Sequence, residues 1–343
     1  LLELDKVFKA VYLWLQGLFT NWDIPQIWLT LLSMLLILGV IVAFISVAAL
    51  FLVWWERKVS AHMQARFGPM RVGWHGWRQT VMDAIKLIQK EDILPLKVDK
   101  PVFVIAPLVV FVAALTVYVC IPFGKGLIVR DLNIGILYIL AITTFTVVGL
   151  LMAGWGSNNK WSLLGGLRSA AQIVSYEVPL TLSVLGVVLL AQSLSMVSIV
   201  KSQVHFWDWY IVRQPIGFLV YLTAAIAEVN RTPFDIPEAE QELVAGYNTE
   251  YSGMKFAMFF FAEYTNLFTI AAVSTTLFLG GWHGPWLPSW IWFLIKTFGV
   301  ILVIMWFRWT YPRIRVDQLM DFAWKFLLPL AFLNLILTGF FAR

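Results

Sequence analysis

Long uninterrupted apolar stretches, separated by short polar punctuation, dominate this chain. Crossing roughly 30 Å of hydrocarbon takes about 20 predominantly apolar residues in a helix. Eight runs are candidates for such spans, at residues 27–54, 102–122, 134–154, 167–191, 211–228, 256–280, 288–307 and 322–341. The first is long enough to tilt or to protrude from the bilayer. Residues 4–19, charged at the start and apolar at the end, are too short and too polar for a ninth span and read as an interfacial segment. No small-residue cleavage pattern follows them, so a secretory signal is not indicated. Between Gly76 and Lys90, Trp77, Val81, Ala84, Ile85 and Ile88 recur at helical spacing, with Arg78, Gln79, Asp83, Lys86 and Lys90 on the other face. That pattern predicts an amphipathic helix at the membrane surface, an anchor some of whose residues are free to line a site. The predicted fold class is all-α: a polytopic membrane protein of eight transmembrane helices plus amphipathic surface helices. It divides into an N-terminal interfacial segment, residues 1–23, and a membrane domain, residues 24–343, with long loops at 55–101 and 229–255.

Composition agrees with that reading. The chain is 60% hydrophobic and only 13% charged, whereas soluble domains carry charge on about a quarter of their residues. Of the 25 Lys and Arg, seventeen fall in the connections after spans one, three, five and seven, seven fall on the opposite face, and Lys296 lies inside a span. Positively charged loops stay on the cytoplasmic side, so both termini are expected outside and the two long loops inside, where soluble partners would dock. The net charge of +5 is scattered among hydrophobic runs and forms no basic stripe with interleaved aromatics, so nucleic acid is not a partner.

The side-chain inventory limits the chemistry. Cys120 is the sole cysteine, and one thiol can neither close an internal disulfide nor ligate an iron–sulfur cluster. His62, His75, His205 and His283 fall in or beside connecting segments, so no helix offers buried imidazoles to a haem. Glycine-rich phosphate loops are absent, which leaves nucleotide or flavin binding unsupported. No metal site is expected, and any redox cofactor must belong to another subunit.

Carboxylates within apolar runs ask for an explanation, because an Asp or Glu at the bilayer centre costs about 2.5–3.5 kcal/mol even on lenient scales. Glu177 lies nine residues beyond Arg168, and Glu263 lies eight beyond Lys255. At 1.5 Å per residue both sit about 12–14 Å inward from the cytoplasmic side and can share one polar layer. Pro179 should kink the Glu177 helix and free a carbonyl. Glu228 closes the fifth span on the same side. The loop after it holds Asp235, Glu238, Glu240, Glu242 and Glu250, so six acids counting Glu228 face only Arg231 and Lys255. Asp235 to Glu238 reads as a helix cap with a capping-box Glu, a structural role. Glu240, Glu242 and Glu250 have no such explanation, and crowding should raise their pKa values toward neutrality, as a proton relay requires. Glu263 stands alone beside Tyr264. Lys296 is the complementary oddity, a cation open to pairing with a carboxylate, snorkelling or a packing ion pair.

Two runs, ERKVSAHMQARFGPMRVG from Glu56 and AEVNRTPFDIPEAEQELVAGYNTEY from Ala227, resemble the signature segments of the H-subunit family of proton-pumping NADH:quinone oxidoreductase, respiratory complex I. QIVSYEV from Gln172, FFFAEYTN from Phe259 and RWTYPRIRVDQLM from Arg308 extend the resemblance over nearly the whole chain from the first span onward. It implies an eight-span subunit joining the membrane and peripheral arms, free of redox centres and inactive alone, with quinone as substrate and the other complex I subunits and lipids as partners. Arg57, Arg66, Phe67, Asp83 and Arg231 would then fall at the quinone tunnel or its mouth. Glu177, Glu228, Asp235, Glu238, Glu240, Glu242 and Glu263 would belong to a proton or coupling pathway. The location implied is the bacterial inner membrane, or the mitochondrial inner membrane if the chain is organellar. Two rivals stay open: a secondary transporter, disfavoured because the two halves show no repeat, and a homologous subunit of a membrane-bound hydrogenase that would use no quinone.

Overall fold

A computed structural model describes residues 6–18, 25–237 and 240–341. Among them the chain is helical, with no β-strand beyond one isolated bridge between Gly124 and Leu127. In chain order the α-helices are α1 (Lys6–Leu18), α2 (Gln26–Met63), α3 (Arg78–Gln89), α4 (Lys100–Thr116), α5 (Gly135–Gly156), α6 (Lys160–Ala191) and α7 (Met196–Lys201). They continue with α8 (Tyr210–Arg213), α9 (Pro215–Glu228), α10 (Glu240–Leu243), α11 (Gly253–Phe278), α12 (Ser289–Thr310), α13 (Val316–Asp321) and α14 (Leu328–Phe341). A π-helical turn at Phe322–Leu327 joins α13 to α14, so 316–340 form one continuous rod.

Seven of these rods are long and apolar enough to cross a membrane. The fifth expected span is different: its helix, α9, has 14 residues, about 21 Å at 1.5 Å per residue. Proline explains the shortening. Pro215 opens α9 at its first turn, and Gln214 before it takes φ −135° and ψ 62°, which breaks α9 from α8. Conversely α2 runs 38 residues, well past the apolar run, and carries Glu56, Arg57 and Ser60 on its C-terminal extension. Pro179 sits inside α6 without interrupting it, so the expected kink does not divide that helix. Asp235 is not the cap of a helix, since the next one, α10, starts five residues later at Glu240.

Two bundles share α11 and α6. One core holds α4, α5 and the start of α11; the larger holds α2, α6, α9, α11, α12 and the C-terminal rod. α5 and α6 cross closely because Gly154 and Gly166 face each other: a Cβ on Gly154 would lie 2.9 Å from the Ser162 carbonyl. α3 lies across α2 and α11, and Trp54 Nε1 donates to the His75 carbonyl at 3.1 Å to hold its leading loop.

Among the described residues Lys296 pairs with no carboxylate. Its Nζ donates to the carbonyls of Leu279 (2.7 Å), Gly281 (3.1 Å) and His283 (2.6 Å) and lies 4.2 Å from the Trp209 ring. It therefore satisfies the C-terminus of α11 and clamps the connection to α12. In that connection, burial first and the neighbouring Lys296 second hold the His283 imidazole below its ordinary pKa.

Candidate functional site

Where α2, α3 and α11 meet, they enclose a cavity of about 380 Å³, within the range of small-molecule pockets. Its walls are almost wholly apolar: Ala49 and Val53 from α2, Ala84 and Ile88 from α3, Ala257 and Phe261 from α11. The amphipathic face of α3 thus supplies a wall, the lining role left open by the sequence pattern. Polar groups cluster at Arg57 and Asp83, whose Nη1 and Oδ2 lie 2.8 Å apart, with Gln79 Nε2 donating to Asp83 at 3.3 Å. Both side chains are partly exposed. Arg66 and Phe67 do not line this cavity; Arg66 donates to Gln64, and Phe67 is 87% exposed in the following loop.

Tyr264 forms part of the same wall and leads inward. Its hydroxyl donates to Glu56 Oε2 at 2.9 Å, and the Arg231 guanidinium stacks 4.6 Å from its ring centre. Arg231 Nη1 sits 3.0 Å from both Glu56 oxygens, its Nε reaches Glu263 Oε1 at 2.9 Å, and Arg308 Nη1 also donates to Glu56. Glu56 and Arg231 are buried, so desolvation of both charges is offset only because the network is nearly fully paired. Local structure delivers Arg231 there. Asn230 takes a positive φ of 54° after α9, a conformation Asn tolerates at a helix end, and turns the chain back. Gln172 Nε2 holds that turn by donating to the Ala227 and Phe234 carbonyls, each at 2.7 Å.

Glu263 is therefore not alone: it links Arg231 to a second, smaller chamber of about 40 Å³, where Glu228, Asn230, Asn266, Thr143 and Thr146 join apolar residues such as Val110 and Phe259 in the lining. A water needs roughly 10–15 Å³ on this measure, so the chamber has room for about three. Glu228 accepts a hydrogen bond from Thr143 and lies within electrostatic range of Glu177, which in turn accepts from Thr144 Oγ1 at 2.5 Å. Three of the sequence-selected acids, from α6, α9 and α11, are thus brought together.

The loop acids are dispersed instead of crowded. Glu242 pairs with Arg168 at 2.7 Å on an exposed face, and Glu250 accepts from Asn159 at 2.7 Å. The hydrogen bond from Arg168, aided by the Arg168 and Arg313 charges, holds the Glu242 carboxyl below its ordinary pKa, opposite to the shift expected from crowding. Asp235 is half-buried beside Ile236, and Glu240 opens α10. Glu238 lies outside the described residues. Sequence reasoning passed over Glu56, Arg308 and Tyr264. The available signal was that Glu56 and Arg308 each sit near the C-terminal end of a span with opposite charge, inside the family motifs. Among the described residues no group of three or more His, Cys, Asp or Glu has metal-holding geometry.

A family model for NADH dehydrogenase matches residues 35–339. The chain is 54% identical over 314 residues to the NADH-quinone oxidoreductase H subunit of Dehalococcoides mccartyi strain CBDB1, covering 91% of this chain and 87% of that one. It is 48% identical over 336 residues to the H subunit of Carboxydothermus hydrogenoformans, with 97% and 94% covered. It is 50% identical over 309 residues to that of Geobacillus kaustophilus, with 89% and 91% covered. With seven long apolar helices among its described residues and matches across nearly its whole length, this multi-pass membrane chain belongs to the NADH dehydrogenase family of NADH-quinone oxidoreductase H subunits.

Proposed function

We propose that this chain admits quinone through the cavity between α2, α3 and α11 and couples its reduction to proton movement along buried carboxylates, while neighbouring subunits supply the electrons. The observation that carries the reading is the continuity at Tyr264, which lines the apolar cavity and also hydrogen-bonds Glu56. An apolar lining suits an isoprenoid tail, and the Arg57–Asp83 pair offers both a donor and an acceptor to a carbonyl-bearing head. Arg66 and Phe67 belong to the mouth of this path. From Tyr264 the line of coupled groups runs through Glu56 and Arg231 to Glu263, across the small chamber to Glu228, and on to Glu177. Reduction of a quinone draws protons, and a change of charge beside Tyr264 shifts the balance of the Glu56–Arg231–Glu263 set, which biases protonation at Glu228 and Glu177. Asp235, Glu238, Glu240 and Glu242 serve the aqueous entrance of this line.

Residues 1–23 form the interfacial segment. Both termini face the periplasm of a bacterial inner membrane, with the loops at 55–101 and 229–255 in the cytoplasm against the peripheral arm. Blocking the cavity tests the reading. Ala257→Trp should abolish most NADH:quinone reductase activity in assembled complex while leaving NADH oxidation by a soluble artificial acceptor intact; unchanged quinone turnover with an assembled complex would contradict it.

A further inference from the structure

A second cavity, of about 540 Å³, lies toward the other end of α2, between α1, α2, the 123–129 loop and the start of α12. It is larger than the Tyr264 cavity and shares no residue with it. Among the described residues its lining carries no charged side chain, and its polar atoms are confined to the indoles of Trp14 and Trp290 and to the backbone. Ile37 is buried at its floor, whereas Val40 is 69% and Trp14 60% exposed, so the groove opens sideways between helices rather than into the protein interior. An apolar groove with that opening, on a chain that spans a bilayer, takes a hydrocarbon chain.

The rim specifies the head. Lys125, exposed in the 123–129 loop, is fixed by its own backbone: its amide donates to Ser289 Oγ at 3.2 Å, which ties it to the first turn of α12 beside Trp290. Arg130, also exposed, follows the lining residue Val129. The 22-residue α12 points its amino end, with its partial positive charge, at the same rim. An exposed cationic residue whose backbone is tied to a helix amino end, close to indoles of the kind that settle at the headgroup level, suits a phosphate.

We infer that this groove binds one anionic phospholipid, an acyl chain lying along α2 and α1 and the phosphate held by Lys125 at the start of α12. The site is at the end of the bundle remote from Glu56 and does not depend on the quinone reading. Only its assignment to the periplasmic leaflet rests on the proposed orientation.

The test uses the assembled complex reconstituted in phosphatidylcholine vesicles doped with a phosphatidylglycerol carrying a photoactivatable acyl chain, or with the matching phosphatidylcholine probe. Peptides spanning 123–130 and 290–294 should be labelled by the phosphatidylglycerol probe severalfold more than lipid-facing peptides of α14, and more than by the phosphatidylcholine probe. Val40→Trp, which fills the groove from an exposed position, should reduce labelling by both probes. Lys125→Glu, in an exposed loop, should remove only the preference for phosphatidylglycerol. Labelling no greater than at α14, as when another subunit covers the groove, would overturn the site. Equal labelling by both probes, or a preference that survives Lys125→Glu, would overturn the anionic assignment.

Discussion

Replacing Glu56 by Gln puts the buried network to a quantitative test. Arg231 and Arg308 are balanced there by Glu56 and Glu263, with Tyr264 adding a neutral donor. Gln keeps the size and one acceptor but turns an amide NH2 toward Arg231 and leaves the set with one uncompensated cation. Breaking a fully buried pair costs about 3–5 kcal/mol. Arg231 has a side chain only 3% exposed, but that of Arg308 is 30% exposed and can recover some hydration, so the lower end, about 3 kcal/mol, is expected. A second change, Arg308→Gln, restores the balance and should return about 1–2 kcal/mol, the coupling of neighbours in one network. The assay is heat inactivation of detergent-solubilised complex, read as loss of the assembled band on native gels. Glu56→Gln should lower the midpoint by several degrees and the double variant by less. A single variant as stable as wild type, or a double variant weaker than the single, would refute the reasoning.

Lys296→Met should lower the same midpoint, because the carbonyls of Leu279, Gly281 and His283 lose their shared donor, at about 1–3 kcal/mol for each buried acceptor left unsatisfied; wild-type stability would show the clamp to be idle. Glu242→Gln should cost no more than about 1 kcal/mol at pH 7, as for other exposed ion pairs. Because its folded pKa is lowered from the ordinary value of 4.5 by the bond from Arg168, this contribution is fully present above pH 4.5 and fades as pH falls through the folded value. Stability differences between wild type and this variant should therefore be flat from pH 6 to 8 and shrink in acid, and a difference growing in acid would contradict the assignment.

The spans were legible because uninterrupted apolar runs leave a helix no other solvent, and the amphipathic period of 78–89 was as plain. The shortness of α9 was written in Gln214–Pro215, a break that a hydropathy count smooths over. Glu177, Glu228 and Glu263 stood out because each is a costly charge in an apolar run. Glu56 did not: beside Arg57 and Lys58 it looks like an ordinary end of a span. Its partners Arg231, Tyr264 and Arg308 lie 175, 208 and 252 residues away in sequence, and no local pattern reports such a convergence. The loop acids misled for the opposite reason. Proximity along the chain suggested mutual repulsion, whereas Glu242 and Glu250 are drawn to Arg168 and Asn159 on another segment.

The central claim is that the carboxylates beyond Tyr264 are linked to quinone reduction, and Glu177→Gln measures it most directly. Thr144 can still donate to the amide oxygen, so the complex should assemble, while the exchangeable carboxyl proton is gone. Quinone reductase activity and proton uptake would be measured together in membranes normalised for assembled complex. Both should fall severalfold in parallel; wild-type rates of both in a fully assembled variant would contradict the account.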